Sequence, residues 1–419
     1  EKGKCSYYNN PQTNISQNKQ DWQPNLTTAN IKRKIQKLKN MLNTLTMKVF
    51  WVILLSLLVN STCKKDISSQ FPYNPPLQIK DGLQVGNPEE VRMDKDMLRK
   101  AAGRIENGKY GEVHSMLIYK NDQLVFEEYF QGHTYQWDAP RHYGNYVIWN
   151  RDMLHCIHSD SKSFTSLCIG IAIDKGFIKS VHQSIFDYLP DYNRYKKDGK
   201  ENITIEHLLT MTSGLQWEEW KISLSSREND QIAIWFYEDG PVHYVLRKPL
   251  VEKPGTRFNY SGGDIQLLAE ILKNATGMNL DDFSAKYIFE PMKISTYDWW
   301  LIFPSGEIQA AGGLKLTPRD MAKTGVMMLN KGIWNGNRII SENWVDKCTT
   351  PFSGNKKIKI PGEDLGKVGY AYTWWTKNFD YKKESIHWYS ALGWGGQKIS
   401  ILPELDMVIV FTGANYTSK

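Results

Sequence analysis

The chain has 419 residues, of which 41% are hydrophobic and 12% aromatic, enough apolar side chain for a sizeable core in one or more domains. Its formal charge of +7 is unevenly placed: residues 1–65 hold eleven Lys or Arg against two acids, a net +9, and residues 66–419 sum to −2. That near-neutral body excludes charge as an argument for a nucleic-acid partner, and the five cysteines (Cys5, Cys63, Cys156, Cys168 and Cys348) have no metal-ligand spacing.

Residues 1–46 are rich in Asn, Gln, Lys and Thr and read as a non-native or disordered extension, with translation beginning at Met47 or Met41. From Met47 a basic start, the apolar run Val49 to Val59 and the polar Asn60-Ser61-Thr62 give a signal peptide over 47–62, too short to span a bilayer comfortably. Cys63 follows it and resembles the lipidation site of a bacterial lipoprotein. The expectation is therefore an exported protein, periplasmic or held at the outer membrane through a lipid on Cys63. Residues 63–87, bearing Pro, Ser and Asn without a sustained period, read as anchor and tether, and 88–419 as the body. Once Cys5 and Cys63 are set aside, the three remaining cysteines read as buried free thiols.

Within the body, Val91, Met93, Met97, Leu98 and Ala101 predict a helix from Pro88 toward Gly108. Alternating segments Val113–Tyr119 and Leu124–Phe130, joined at Asn121-Asp122, predict a hairpin. The apolar run Phe164–Ile173, stopped at Gly176, predicts a helix in the middle of the domain. Residues of about 180–350 read as mainly helical, with Ile205–Met211, Ile265–Leu272, Pro318–Asn330 behind a Thr317 cap, and Ser341–Lys347 as the clearest pieces. Strands return at Tyr370–Trp375, Ile386–Ser390, Lys398–Leu402 and Met407–Thr412. Strands at both ends with helices between predict an α+β fold: a central antiparallel sheet built from both chain ends, flanking helices and an inserted mainly helical region.

Three segments carry chemistry. In Ser159-Asp160-Ser161-Lys162, a hydroxyl and an amine three residues apart share one face at the start of the apolar helix. There a buried amine serves as base for the serine, and the helix N-terminus favours an oxyanion. In Gly255-Thr256-Arg257-Phe258-Asn259-Tyr260-Ser261-Gly262-Gly263, the Tyr260 phenol is a candidate to relay a proton to the leaving group. In Trp394-Gly395-Gly396-Gln397, glycines at a strand mouth permit close approach of a ligand and a backbone oxyanion donor. The alternatives are a solvated face, a packed aromatic and a glycine bulge. Trp217, Trp220, Trp235, Phe236, Tyr237, Trp299, Trp300, Trp374, Trp375 and Trp388 are candidates for an apolar acyl pocket, some of them serving the core instead.

In this order the segments resemble the serine β-lactamase and penicillin-binding-protein superfamily, closest to its class C-like esterases and 6-aminohexanoate-dimer hydrolases. The likeness also rests on His158, Ser163-Phe164-Thr165-Ser166, His207 to Leu215, Ala311-Gly312-Gly313-Leu314, Thr317 to Lys323, and Gly332, Trp334 and Gly336. It spans about residues 95–415. It implies a β-lactamase-like fold and hydrolysis of small esters or amides, with Ser159 acylated, Lys162 as its base and Tyr260 assisting proton transfer. It further implies Trp394, Gly395, Gly396 and Gln397 as a strand-side wall, with the N–H groups of Ser159 and Gln397 as oxyanion donors. No cofactor or metal is implied, and the membrane enters only through the lipid anchor. Two departures matter: Tyr260-Ser261-Gly262 and Trp394-Gly395-Gly396 stand where class A enzymes carry S-D-N and K-T-G, so the Lys that fixes a β-lactam carboxylate is missing. A D-amino-acid peptidase, a weak β-lactamase and a noncatalytic binder of the same fold are the alternatives. The family's closing helix after the last strand is missing, so a truncated sequence is expected.

Overall fold

The computed structural model describes residues 71–417. The extension over 1–46, the signal peptide over 47–62 and the lipidation candidate Cys63 lie outside the described residues.

The core is an eight-stranded antiparallel sheet of β1 (Val113–Lys120), β2 (Gln123–Tyr129), β3 (Ile358–Lys359), β4 (Lys367–Tyr370), β5 (Trp375–Tyr381), β6 (Glu384–Gly393), β7 (Gln397–Leu402) and β8 (Met407–Gly413), in the order β3-β4-β5-β6-β7-β8-β1-β2. Both chain ends thus build one sheet, and the fold is α+β, as expected. The β1–β2 turn carries Asn121 and Asp122 at φ 47° and 62°, two consecutive left-handed residues whose twist matches a hairpin. Alternation decides which face each residue meets. Leu117, Tyr119, Val408 and Val410 point to the large core beneath the helices, whereas Met116 and Ile118 point to a second layer with Leu98, Ala102 and Ile105.

That second layer comes from α1 (Lys95–Glu106), whose N-cap Asp94 accepts from the N–H groups of Asp96 and Met97. The predicted 88–108 helix is broken ahead of it, because Arg92 takes a left-handed conformation after a 3₁₀ turn at Pro88–Val91. On the other face lie α2 (Ser161–Asp174), α3 (Gly262–Thr276) and α4 (Pro318–Leu329). Thr317 caps α4 by accepting from Asp320 N–H. The inserted region is mainly helical, but it also contributes the strands Tyr297–Trp299 and Leu314–Leu316, which form a small sheet with His155–Cys156 just ahead of Ser159.

Two expectations are corrected. Residues 71–87 are not tether, since Phe71 packs on Phe130, Tyr73 Oη donates to Val125 O (3.1 Å) and Leu83 is fully buried. Residues 84–86 run along β2, with Leu124 N donating to Gln84 O (2.7 Å) and Gly86 N to Leu124 O (3.1 Å). Without a hydrophobic period such a segment reads as linker, yet the open edge of β2 supplies the partners that order it. The strand expected over Tyr370–Trp375 is a corner: β4 ends at Tyr370, Thr373 sits at φ 67°, its N–H donates to Leu209 O (3.1 Å), and β5 starts at Trp375. Aromatic residues buried on every side imitate a strand pattern without its pairing. Cys156, Cys168 and Cys348 are unpaired, the last two buried and the first partly exposed.

Candidate active site

The site starts from a turn. Ile157 N donates to Leu314 O (3.1 Å), which holds the small sheet against the chain, and His158 at φ 48° turns it into a 3₁₀ segment, His158–Asp160, running into α2. This puts Ser159 at the head of α2 and Lys162 one turn on. Lys162 Nζ donates to Ser159 Oγ (3.0 Å) and to Ala311 O (2.9 Å), and its side chain is buried. Hydroxyls along α2 fix the helix to its surroundings: Ser161 Oγ accepts from Leu314 N (3.2 Å), while those of Ser163, Thr165 and Ser166 donate to Thr373 O, Ala310 O and Tyr372 O. An all-round buried helix can carry these hydroxyls because each finds a partner.

Tyr260 arrives from a loop pinned by Asn259 N to Met211 O (2.8 Å) and ended by Ser261, which caps α3 by accepting from Asp264 N (3.0 Å). Its ring centre lies 4.8 Å from Lys162 Nζ. Burial raises the phenol's pKa, opposed by the Lys162 charge and by hydrogen bonds with Ser159 and Lys162. Ser159, Lys162 and Tyr260 therefore share one cluster. Burial lowers His158 to about 3, helped by the charges of His142 and Lys162, so it stands beside Ser159 as a neutral imidazole. Asp160 is fully buried with neither oxygen hydrogen-bonded, and burial lifts its pKa well above the usual carboxylate range, which favours its neutral form.

Asp264 shows the same effect. Burial pushes it up to about 8 against hydrogen bonds from Ser213 and Ser261, and its Oδ2 is unpartnered. With the folded value above the ordinary value of about 3.9, the folded protein holds a proton there that the unfolded chain has released. The stabilisation from this group is complete below pH ~4 and is lost as pH rises through the window up to about 8. Asp264→Asn, which imitates the protonated form, is expected to gain stability relative to wild type between pH 5 and pH 8. Urea unfolding at both pH values checks this, and a constant difference would contradict it.

The strand-side segment Trp394-Gly395-Gly396-Gln397 forms a turn. Gly395 and Gly396 have φ of 86° and 97°, which the turn between β6 and β7 requires of them, and Gly395 pairs with Asn415 against the Tyr416 ring. Gln397 is paired with Gly393 in the ladder, and its side-chain amide donates to Gly413 O (2.6 Å) and Trp394 O (3.2 Å). The backbone packed beside the serine turn is that of Gly393, where an added Cβ would lie 2.1 Å from Ile157 O. Glycine enrichment found the turn, while close approach is made at the glycine that ends β6. Trp394 does reach the site, its ring centre 5.6 Å from that of His158.

Aromatic residues flank the cluster on two sides. Trp220 and Trp375 stack about Tyr260 at 4.9 and 5.9 Å, and Tyr135, linked to Trp300 and Trp394, meets His158 at 4.7 Å. Trp217, Trp299, Trp374 and Trp388 belong to the buried core, Trp235 packs on Phe303, and Phe236 and Tyr237 lie under Arg227 and Arg247. Sequence reasoning missed Glu219, whose Oε1 is 3.8 Å from Lys162 Nζ. A lone Glu in an aromatic loop carries no signal of its own. Among the described residues no group of His, Cys, Asp or Glu could hold a metal ion.

The family described as Beta-lactamase matches residues 112–415. The chain is similar to the 6-aminohexanoate-dimer hydrolase of Paenarthrobacter ureafaciens, 25% identical over 269 residues, covering 62% of this chain and 66% of that protein, just under two thirds of its length. Among solved structures it is similar to a family VIII carboxylesterase (TM-score 0.60, 16% identity, 81% of this chain and 94% of that one). It is also similar to a D-stereospecific amidohydrolase from Streptomyces sp. (TM-score 0.54, 14% identity, 75% and 94%). At those identities the two structures speak for the fold alone. With the matched region spanning the whole sheet from β1 to β8 and the serine turn within it, the chain belongs to the beta-lactamase family of serine hydrolases.

Proposed function

We propose that this chain hydrolyses esters or amides of small substrates through an acyl-enzyme on Ser159. The observation that carries the reading is Lys162 Nζ, buried and 3.0 Å from Ser159 Oγ, with the Tyr260 phenol beside both. Ser159 Oγ attacks the carbonyl carbon as its proton passes to Lys162. Tyr260 relays that proton to the leaving oxygen or nitrogen as its bond to the acyl carbon breaks, and water then releases the acid from Ser159. The Ser159 N–H at the head of α2 and backbone at the end of β6 are the proposed oxyanion donors.

Esters and amides suit the site better than β-lactams because Leu392-Gly393-Trp394 brings no lysine to the wall. The flanking Trp220, Trp375 and Tyr135 favour an apolar acyl group. Export as a lipoprotein anchored through Cys63, in the periplasm or at the outer membrane, belongs to this reading and rests on residues 47–63 of the sequence. Among the described residues no helix is long and apolar enough to cross a membrane.

A fluorophosphonate probe is expected to label the protein on Ser159, located by peptide mass spectrometry. A panel of p-nitrophenyl esters, nitrocefin and D-Ala-D-Ala peptides should show turnover highest for the esters. Labelling elsewhere, or none at all, would leave a noncatalytic binder as the better reading. Turnover confined to the peptides or nitrocefin would favour a D-amino-acid peptidase or weak β-lactamase.

A further inference from the structure

We propose that Glu219 is a positioning residue of the reacting cluster: its carboxylate holds the ammonium formed on Lys162 when Ser159 gives up its proton, and so sets the pH at which acylation begins. This rests on the reading of Ser159 and Lys162 given above.

Glu219 is held for the task. Its Oε2 accepts from Trp217 Nε1 (2.9 Å) and Gly262 N (2.7 Å), which leaves Oε1 facing Lys162 Nζ at 3.8 Å. The two side chains are 9% and 3% exposed, so solvent screens the pair little. The loop is anchored in turn: Asn229 Nδ2 donates to Glu219 O (3.1 Å) and Ile222 O (2.7 Å), and Glu218 N donates to Asp230 Oδ2 (2.7 Å).

Gly262 meets the carboxylate through its backbone N–H, beside the Gln231 side chain. A Cβ there would lie 2.0 Å from Gln231 Oε1 and 3.2 Å from Glu219 Oε2, and its φ is outside the left-handed region. The space beside the third position of Tyr260-Ser261-Gly262 is filled by the Gln231 side chain, with Glu219 Oε2 packed next to it.

The charges facing Lys162 come from three elements. The serine turn brings His158, which is neutral, and Asp160, whose burial favours the neutral form. The segment before α3 brings the Tyr260 phenol, raised by burial, and the 217–229 loop brings Glu219. Glu219 thus brings a carboxylate to Lys162, and Asp264, pushed up to about 8, lies close enough to Glu219 to interact with it. During acylation the Ser159 proton moves to Lys162 and then, through Tyr260, to the leaving atom, while Glu219 keeps its charge and takes no proton. An anion beside Lys162 favours its charged form and so stabilises the acylation transition state, where that charge develops.

The test is the pH profile of kcat/KM for p-nitrophenyl butyrate in wild type, Glu219→Gln and Glu219→Asp. In Glu219→Gln the acid limb is expected to move to lower pH by about one unit while the plateau falls. Glu219→Asp, with its carboxylate retracted, should lie between the two. A lower plateau with an unmoved limb in both variants would overturn the proposal, since a residue that only shapes the loop has that effect. If Glu219→Gln fails to fold, the limb of Glu219→Asp decides. Absence of fluorophosphonate labelling in wild type would sink the hydrolase reading itself, a separate outcome.

Discussion

Lys162→Ala is expected to lower the rate of Ser159 acylation by about 10²–10⁴-fold, the range that a positioned general base contributes. The amine donates to Ser159 Oγ, and burial leaves the other neighbours unsuited to replace it: Tyr260 is raised as a phenol, His158 is an imidazole lowered to about 3, and Asp160 is favoured in its neutral form. The fold should survive, because Glu219 keeps its hydrogen bonds from Trp217 and Gly262 although its facing cation is gone, and the donors lost are those to Ser159 Oγ and Ala311 O. An unpaired buried carbonyl costs about 1–3 kcal/mol. Lys162→Arg separates charge from base, for a guanidinium keeps the cation beside Glu219 but does not release its proton, and it should be as slow as the alanine variant. Stopped-flow burst kinetics with a p-nitrophenyl ester measure the effect, alongside circular dichroism to check folding. Normal acylation in either variant would remove Lys162 from its assigned role.

Arg319→Met is expected to destabilise the domain by about 3–5 kcal/mol, the cost of leaving a buried charge without its partner. Arg319 projects from α4 and donates from Nε and Nη2 to Glu127 on β2 (2.7 and 2.6 Å), from Nη1 to Asp81 (2.9 Å) and from Nη2 to Leu77 O (2.7 Å). One guanidinium therefore joins the helix layer, the edge of the sheet and the segment ahead of α1. Glu127 is 5% exposed at its side chain, so removing the cation strands a carboxylate whose other donor is Tyr129 Oη (2.7 Å). The double variant Arg319→Met with Glu127→Gln should recover part of the loss, since the stranded charge is then gone. Urea unfolding of both variants provides the check. A loss below ~1 kcal/mol for the single variant would place this network among weak surface pairs.

Local patterns carried much of the architecture. The Asn121-Asp122 hairpin, α4 behind its Thr317 cap and the apolar helix after Ser159 were legible because each is specified by neighbours a few residues apart. Ser159 and Lys162 were legible for the same reason: helix geometry brings residues three apart onto one face. Tyr260 needed the family resemblance, since a phenol about a hundred residues away has no local rule tying it to a serine.

By itself, then, the sequence determined the turn, the helix behind it and the α+β alternation of elements, all products of short-range stereochemistry and hydrophobic period. Only the tertiary structure decided that Glu219, held by the Gly262 N–H, faces Lys162, and that the strand meets the serine turn at Gly393. It alone ordered residues 71–87 along the edge of the sheet. Those outcomes depend on which surfaces meet once the layers pack, and a missing Cβ or a single carboxylate leaves no periodic trace along the chain.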